Sequence, residues 1–149
     1  MKRIVFVIVL IANSLFAQEA KKDSSWSHGG TVNFTHTQVN FRNWAAGGDN
    51  ASSFNGLFST FANYKKDNIV WDNKIDLGFG MSKLGESDFQ KSDDRLEIQS
   101  KFGYGFSDKL YYSALSNFRS QFAPAFSAPG SDQIVSNFLS PAYYSSSLG

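Results

Sequence analysis

Residues 68–82 have the sequence NIVWDNKIDLGFGMS, and this stretch decides the fold class. Its apolar side chains occupy alternate positions, from Ile69 and Trp71 to Phe79 and Met81, and the positions between them are mainly polar or glycine. A period of two sustained over this length is typical of a β-strand with one apolar and one polar face. The stretch is also longer than the strands of about 5–6 residues found in most soluble sheets.

Four further stretches carry the same alternation. It is regular in residues 95–106 and 109–122. In residues 53–65 two apolar side chains fall on the other face, and in residues 31–41 the phase shifts, which predicts a β-bulge. Together the stretches predict an all-β chain folded as an antiparallel up-and-down meander.

The connections between these stretches alternate in length. Residues 65–68 and 107–109 are short enough for tight turns, whereas residues 43–51, 82–94 and 123–137 form longer polar connections. Outer-membrane β-barrels combine strands of about 10 residues with short periplasmic turns and longer external loops. The meander is therefore predicted to form part of an outer-membrane β-barrel. A soluble β-sandwich or lipocalin-like barrel, with the apolar faces turned inward, is the alternative.

Aromatic residues cluster near the predicted tight turns. They are Tyr64, Trp71, Tyr104, Phe106, Tyr111 and Tyr112. Barrels carry such aromatic girdles at the membrane interface. Outer-membrane lipid is accordingly an expected partner.

The N-terminus has the form of a secretory signal peptide. Lys2 and Arg3 precede an apolar run over residues 4–11, and the small residue Ala17 lies at the expected cleavage site. A membrane-spanning helix would need about 20 apolar residues, and Asn13 interrupts this run earlier. The expected organisation is a signal-peptide helix at 1–17, a short polar linker at 18–25 and a partial β-barrel domain of about five to six strands at 26–149. Export to the bacterial outer membrane would require the secretion and barrel-assembly machineries as partners.

Composition excludes several other classes of protein. The chain has no cysteine, which removes disulfides, thiolate metal sites and a lipoprotein anchor. It has 14 Lys+Arg and 13 Asp+Glu, and cleavage after residue 17 removes two of the cations. This balance does not indicate a nucleic-acid-binding protein, which would show clustered excess basic charge. No cofactor is expected.

Several short motifs together resemble a known family. They are WSHGG at residues 26–30, NWAAGG at 43–48, KSDD at 91–94, QF at 121–122 and SPAY at 140–143. In this order the chain is similar to the DUF3078 family, uncharacterised proteins of Bacteroidetes-type bacteria regarded as outer-membrane β-barrels. The resemblance covers residues 25–149 and implies a fold and a location, but no activity. It also implies that these residues are the N-terminal part of a longer precursor, since the smallest barrels have about 8 strands. The competing interpretation is a short sheet protein whose edges a partner covers.

Two loops contain candidate binding residues. Asn43, Trp44, Gly47 and Gly48 could form a lumen-folded loop or a ligand platform in which Trp44 stacks on a sugar or aromatic group. The expected structure is instead a tight turn in which Trp44 anchors the loop against the barrel wall or at the membrane interface. The carboxylates near residues 86–95 could bind Ca²⁺, but they lack EF-hand spacing. A solvated, ion-paired outer loop is expected instead, and no metal site is predicted. Alternatively, Asp93 and Asp94 would cap the start of the strand through salt bridges to Lys91 and Arg95.

The polar face of the predicted strands supplies a second set of candidates. They are Asp72, Lys74, Asp76, Glu97, Gln99, Lys101, Asn117 and Arg119. In a narrow barrel these side chains would fill the interior, and in a wide one they would set the selectivity of a pore.

Motifs for catalysis are scarce. His28 and His36 are the only histidines, and neither GxSxG nor HExxH occurs. An enzyme is therefore not expected. The predicted function is that of an outer-membrane barrel, either a solute channel or a structural component of the envelope. The alternatives are a barrel that binds ligands or catalyses a reaction through its external loops, and a soluble periplasmic β-protein.

Overall fold

The computed structural model describes residues 25–43, 47–107, 110–128 and 130–149. The predicted signal peptide and all but Ser25 of the predicted linker lie outside these ranges. The strands are β1 (Trp26–Val39), β2 (Ala51–Lys66), β3 (Ile69–Leu84), β4 (Gln90–Ser107), β5 (Leu110–Ser120), β6 (Ala125–Phe126), β7 (Ile134–Ser136) and β8 (Tyr143–Leu148). The described ranges hold no helix with the length and apolar character needed to cross a membrane.

Six of the strands form one antiparallel sheet in the order β1-β2-β3-β4-β5-β8. Neighbours in this sheet follow one another along the chain, except that β6 and β7 come between β5 and β8 in the sequence. These two short strands form a separate two-stranded ribbon. The predicted all-β antiparallel meander is confirmed. Within the described residues the sheet is open, with β1 and β8 as its edges.

The pairing register separates the side chains onto two faces. Residues directly opposite each other in an antiparallel pair lie on the same face. Trp71 of β3 lies opposite Tyr64 of β2 and Phe102 of β4, so these rings share one face. We call this the apolar face, and extending the register gives its main members. They are Trp26, Val32, Phe34, Phe54, Phe58, Tyr64, Trp71, Ile75, Leu77, Phe79, Leu96, Ile98, Phe102 and Phe118.

The sheet is one layer thick and has no apolar core. Among the described residues no hydrophobic side chain is buried. Val32 and Phe34 are each 69% exposed, and Ile75, on a central strand, is still 37% exposed. Folded domains normally bury many such side chains. The described residues therefore leave the apolar face uncovered.

The structure corrects three details of the sequence prediction. The bulge predicted within residues 31–41 is wrong, because β1 and β2 pair without interruption from Trp26 opposite Tyr64 to Val39 opposite Ala51. Register shifts occur instead after Gly80, between β3 and β4, and after Gly105, between β4 and β5. The connection predicted at residues 82–94 contains only residues 85–89, because both flanking strands continue into it. The β6–β7 ribbon was not predicted.

Candidate functional site

The face opposite the apolar one carries most of the charged side chains of the sheet, and we call it the polar face. All eight polar candidates from the sequence lie on it, in three rows that cross β3, β4 and β5. The rows are Asp72 with Lys101; Lys74 with Gln99 and Asn117; and Asp76 with Glu97 and Arg119. Within each strand, the period of two places the candidate side chains on the same face. The pairing register then brings the candidates of neighbouring strands opposite one another. Whether this face lines a lumen stays a prediction.

Polar contacts link neighbouring rows. Lys74 Nζ lies 2.9 Å from Asp76 Oδ2, and Asp76 also accepts a hydrogen bond from Ser59. Asn117 Nδ2 donates to Glu97 Oε1 over 3.3 Å. Two carboxylates of the central rows are thus bound to neighbouring side chains.

Two arginines on the polar face, Arg95 and Arg119, lack such contacts with the neighbouring side chains that the structure describes. Arg119 lies opposite Glu97, and Arg95 lies two residues before Glu97 on β4. Neither makes a hydrogen bond or an ion pair with a described residue, and Arg95 Nε is buried without a partner. The predicted salt bridge between Arg95 and Asp93 or Asp94 does not form among the described residues. Arg95 precedes Glu97 by two residues, so the period of two in the sequence already indicates that it lies on the same face as the polar candidates.

Apolar side chains also fit onto the polar face, over glycines of the adjacent strand. The ring of Phe61 covers Gly29, where an added Cβ would lie 2.9 Å from the ring. Tyr111 covers Gly105 in the same way, again at 2.9 Å. Tyr111 is therefore separated from the other aromatic residues predicted to form a girdle, which lie on the apolar face or at its turn end. Glycine at these two positions gives the rings the space they need.

A buried ion pair lies at the end of β4 remote from the tight turns. Lys91 Nζ is 2.6 Å from Asp94 Oδ2, and the two side chains are 10% and 2% exposed. Lys91 also donates to the carbonyl of Ala123 (2.6 Å), and Asp94 accepts from the backbone N–H groups of Phe122 (3.0 Å) and Ala123 (2.9 Å). The predicted salt bridge between Lys91 and Asp94 is confirmed. It fixes the start of the segment 121–142 to the sheet.

The NWAAGG loop is described only in part, because Trp44 lies outside the described residues. Asn43, Gly47 and Gly48 have positive φ angles of 52°, 76° and 140°. Gly48 lies against Phe41, whose N–H donates to Asn50 Oδ1 over 2.7 Å. These features define a turn, and the role of Trp44 stays a prediction.

Both histidines lie on the apolar face. His36 stacks on Phe54 with ring centroids 4.5 Å apart, and its Nε2 is 3.5 Å from Ser52 Oγ. No described carboxylate contacts His36 to orient its ring, as a catalytic triad would require. In the part of the chain that the structure describes, no three His, Asp or Glu side chains are grouped to hold a metal ion.

Comparison with known proteins places the chain in a family. The model of the family described as "Protein of unknown function (DUF3078)" matches residues 36–126, well over half of the chain. The chain belongs to the DUF3078 family. The resemblance to this family is confirmed over residues 36–126, and the WSHGG and SPAY motifs lie outside the matched residues. No curated protein and no solved structure matches it.

The DUF3078 match extends from within β1 to the end of β6. It therefore includes the three polar rows, both arginines and the Lys91–Asp94 ion pair. The β8 strand of this DUF3078 protein follows the matched region.

Proposed function

We propose that this DUF3078 protein forms part of the wall of an outer-membrane β-barrel that admits small solutes. The apolar face contacts lipid, and the polar face lines the lumen. The observation that carries the proposal is the single-layer sheet, whose apolar face is uncovered while its other face bears charged rows. A lipid bilayer supplies the cover that a second protein layer supplies in a soluble sandwich.

The length of the strands supports this orientation. A membrane-crossing β-strand needs about 9–11 residues when tilted by about 45°. Strands β2 and β3 have 16 residues each, and β4 has 18. Along β3, ten steps of about 3.3 Å separate Trp71 from Met81, and at a tilt of about 40° they span roughly 25 Å. This equals the height of the apolar band on known barrels.

Aromatic rings at both ends of the band also support it. At the tight-turn end, the ring centroid of Trp26 lies 5.1 Å from that of Tyr64 and 5.9 Å from that of Trp71. Trp71 Nε1 donates to Ser100 Oγ over 2.8 Å, so its polar atom is satisfied within the sheet. At the opposite end Phe79 packs on Phe122 with ring centroids 5.7 Å apart. Two such belts are typical of the two membrane interfaces.

The balance of charge on the polar face suits an aqueous lumen. Its central rows and the adjoining positions carry four cations and four carboxylates. They are Lys74, Arg95, Lys101, Arg119, Asp72, Asp76, Asp93 and Glu97. A wall of this kind tolerates solutes of either sign. The secretion and barrel-assembly machineries are the expected partners of this protein, and no catalytic role is proposed.

Site-directed labelling of the full-length protein in membranes tests the proposal, because residues 1–149 contain no native cysteine that would react with the label. Lys74→Cys and Ile75→Cys place a thiol on adjacent residues of β3 that face opposite sides of the sheet. We expect a membrane-impermeant maleimide to label Lys74→Cys, and a lipid-soluble maleimide alone to label Ile75→Cys. We also expect the protein to remain in the membrane fraction after a carbonate wash.

Equal labelling of both variants by the impermeant reagent would contradict the lipid-facing orientation. Release of the protein by carbonate would favour the soluble periplasmic alternative. Planar-bilayer recordings then distinguish a solute channel from a structural barrel, because a closed or plugged barrel conducts no ions.

A further inference from the structure

Arg95 and Arg119 are diagonal neighbours on the polar face. Glu97 lies directly opposite Arg119, and Arg95 precedes Glu97 by two residues on the same strand. Diagonal positions of an antiparallel pair lie about 7–8 Å apart, within reach of long side chains. The two guanidinium groups can therefore approach a common ligand from adjacent strands.

The carboxylates near these arginines are bound to other side chains. Asp76 pairs with Lys74 at 2.9 Å and is affected by the charge of Arg95 only at longer range. Glu97 accepts a hydrogen bond from Asn117 over 3.3 Å. Neither arginine makes a hydrogen bond or an ion pair with the described residues.

Asp93 is similarly engaged, since it accepts a hydrogen bond from Asn55 over 3.3 Å. The Nε of Arg95 is buried and has no partner. A buried donor without an acceptor is unfavourable, and native proteins contain few of them. Arg95 thus keeps a buried hydrogen-bond donor that no described residue of the protein uses.

A groove adjoins Arg119 at the paired ends of β5 and β8, where Arg119 lies opposite Tyr143 and Asn117 lies opposite Ser145. Its volume is about 590 Å³, and Arg119, Asn117, Tyr143 and Ser145 line it. Asp94 also borders the groove, but Lys91 neutralises its charge at a distance of 2.6 Å. A cavity of this size accommodates a small organic molecule.

We infer that Arg95 and Arg119 bind the phosphate group of a small phosphorylated solute, whose organic part occupies the groove beside Tyr143. Guanidinium groups bind phosphate oxygens bidentately, and two of them match the charge of nearly two that a phosphate monoester carries near pH 7. The Tyr143 ring and the Ser145 hydroxyl offer a stacking surface and a hydrogen-bonding group. The inference rests on the proposed function in that the polar face must be open to water.

Calorimetric titration of the full-length protein in detergent tests the inference, with inorganic phosphate, glucose 6-phosphate and glucose as probes. We expect both phosphates to bind, glucose 6-phosphate more tightly, and glucose not to bind. Arg95→Gln and Arg119→Gln should each weaken phosphate binding about tenfold, as loss of a charge-assisted hydrogen bond does. The control Lys101→Gln removes a cation from another row of the same face and should leave the affinity unchanged.

Absence of phosphate binding by the unaltered protein would overturn the inference, as would an equal loss in Lys101→Gln and the arginine variants. Binding that persists in Arg95→Gln and Arg119→Gln would place the anion elsewhere and would also overturn it. Circular dichroism confirms that each variant is folded. Because the titration requires no pore and no bilayer, it can fail while the carbonate and labelling tests of the proposed function succeed.

Discussion

Ile98 and Gln99 are adjacent residues of β4 whose side chains lie on opposite faces of the sheet. Ile98 lies between Ile75 and Phe118 on the apolar face, and Gln99 lies between Lys74 and Asn117 on the polar face. We expect Ile98→Lys to lower the free energy of unfolding by about 2–4 kcal/mol in lipid vesicles, because it places an ammonium group in the hydrocarbon. Tryptophan fluorescence during urea unfolding from vesicles measures the effect.

Gln99→Lys is the matched control, since it introduces the same charge one residue away. On a water-exposed face the substitution should change the free energy of unfolding by no more than about 0.5 kcal/mol. If the two variants are equally destabilised, or if Ile98→Lys is harmless, the apolar face does not contact lipid.

The same pair of neighbours shows how far a residue's environment can be predicted. The face on which each residue lies follows from the period of two, because β3, β4 and β5 alternate strictly over their central parts. The period of two could not predict that Arg95 and Arg119 make no hydrogen bond or ion pair with the described residues. This absence depends on which carboxylate each neighbouring Asn and Lys reaches, and that is set by the register between strands and by side-chain conformation.

At the scale of elements, the predictions succeeded where alternation was strong. Strand β3 was expected at residues 68–82 and occupies Ile69–Leu84. The region around residue 90 was predicted as loop because its side chains are polar, yet the ladder of backbone hydrogen bonds continues through it from both sides. Strands β6 and β7 have two and three residues, too few for a period to be detected.

The Lys91–Asp94 ion pair links two elements, the start of β4 and the segment 121–142. We expect Lys91→Met to destabilise the attachment of this segment by about 3–5 kcal/mol, because it leaves the Asp94 carboxylate buried without its cation. Hydrogen–deuterium exchange at the amides of Phe122 and Ala123, which donate to Asp94, measures the loss.

Lys83→Met is the control for this experiment. Lys83 lies on an exposed surface, with its Nζ 5.3 Å from the centroid of the Phe89 ring, and its replacement should leave exchange in the segment 121–142 unchanged. The double variant Lys91→Met, Asp94→Leu should recover part of the protection, because it removes the unpaired charge as well. Unaltered exchange in Lys91→Met would show that the ion pair does not hold the segment.

At the scale of the whole molecule, an exposed apolar face and a charged polar face belong to one sheet, whose edge strands β1 and β8 have no outer partner among the described residues. Unpaired edges and uncovered apolar surface both promote association in water. The proposed barrel wall resolves both problems together, because further strands would pair with β1 and β8 while lipid covers the apolar face. Alternation alone could not distinguish this arrangement from a soluble sandwich, since both have the same period. The absence of any buried apolar side chain among the described residues is what favours the membrane.

The balance of charge on the polar face leads to a prediction for the assembled protein. In a barrel whose lumen this face lines, replacing both Arg95 and Arg119 with Gln removes two cations and leaves four carboxylates against two cations. We expect the permeability of the full-length protein to shift toward cations, because charged side chains that line a pore set its ion selectivity. The reversal potential in a tenfold KCl gradient measures the shift. The control Asp72→Asn, Lys101→Gln removes one charge of each sign from residues that lie opposite each other and should leave the reversal potential unchanged. An unchanged value in the arginine variant would mean that these side chains lie away from the conducting path, and the polar face would then serve to fill the interior of the barrel.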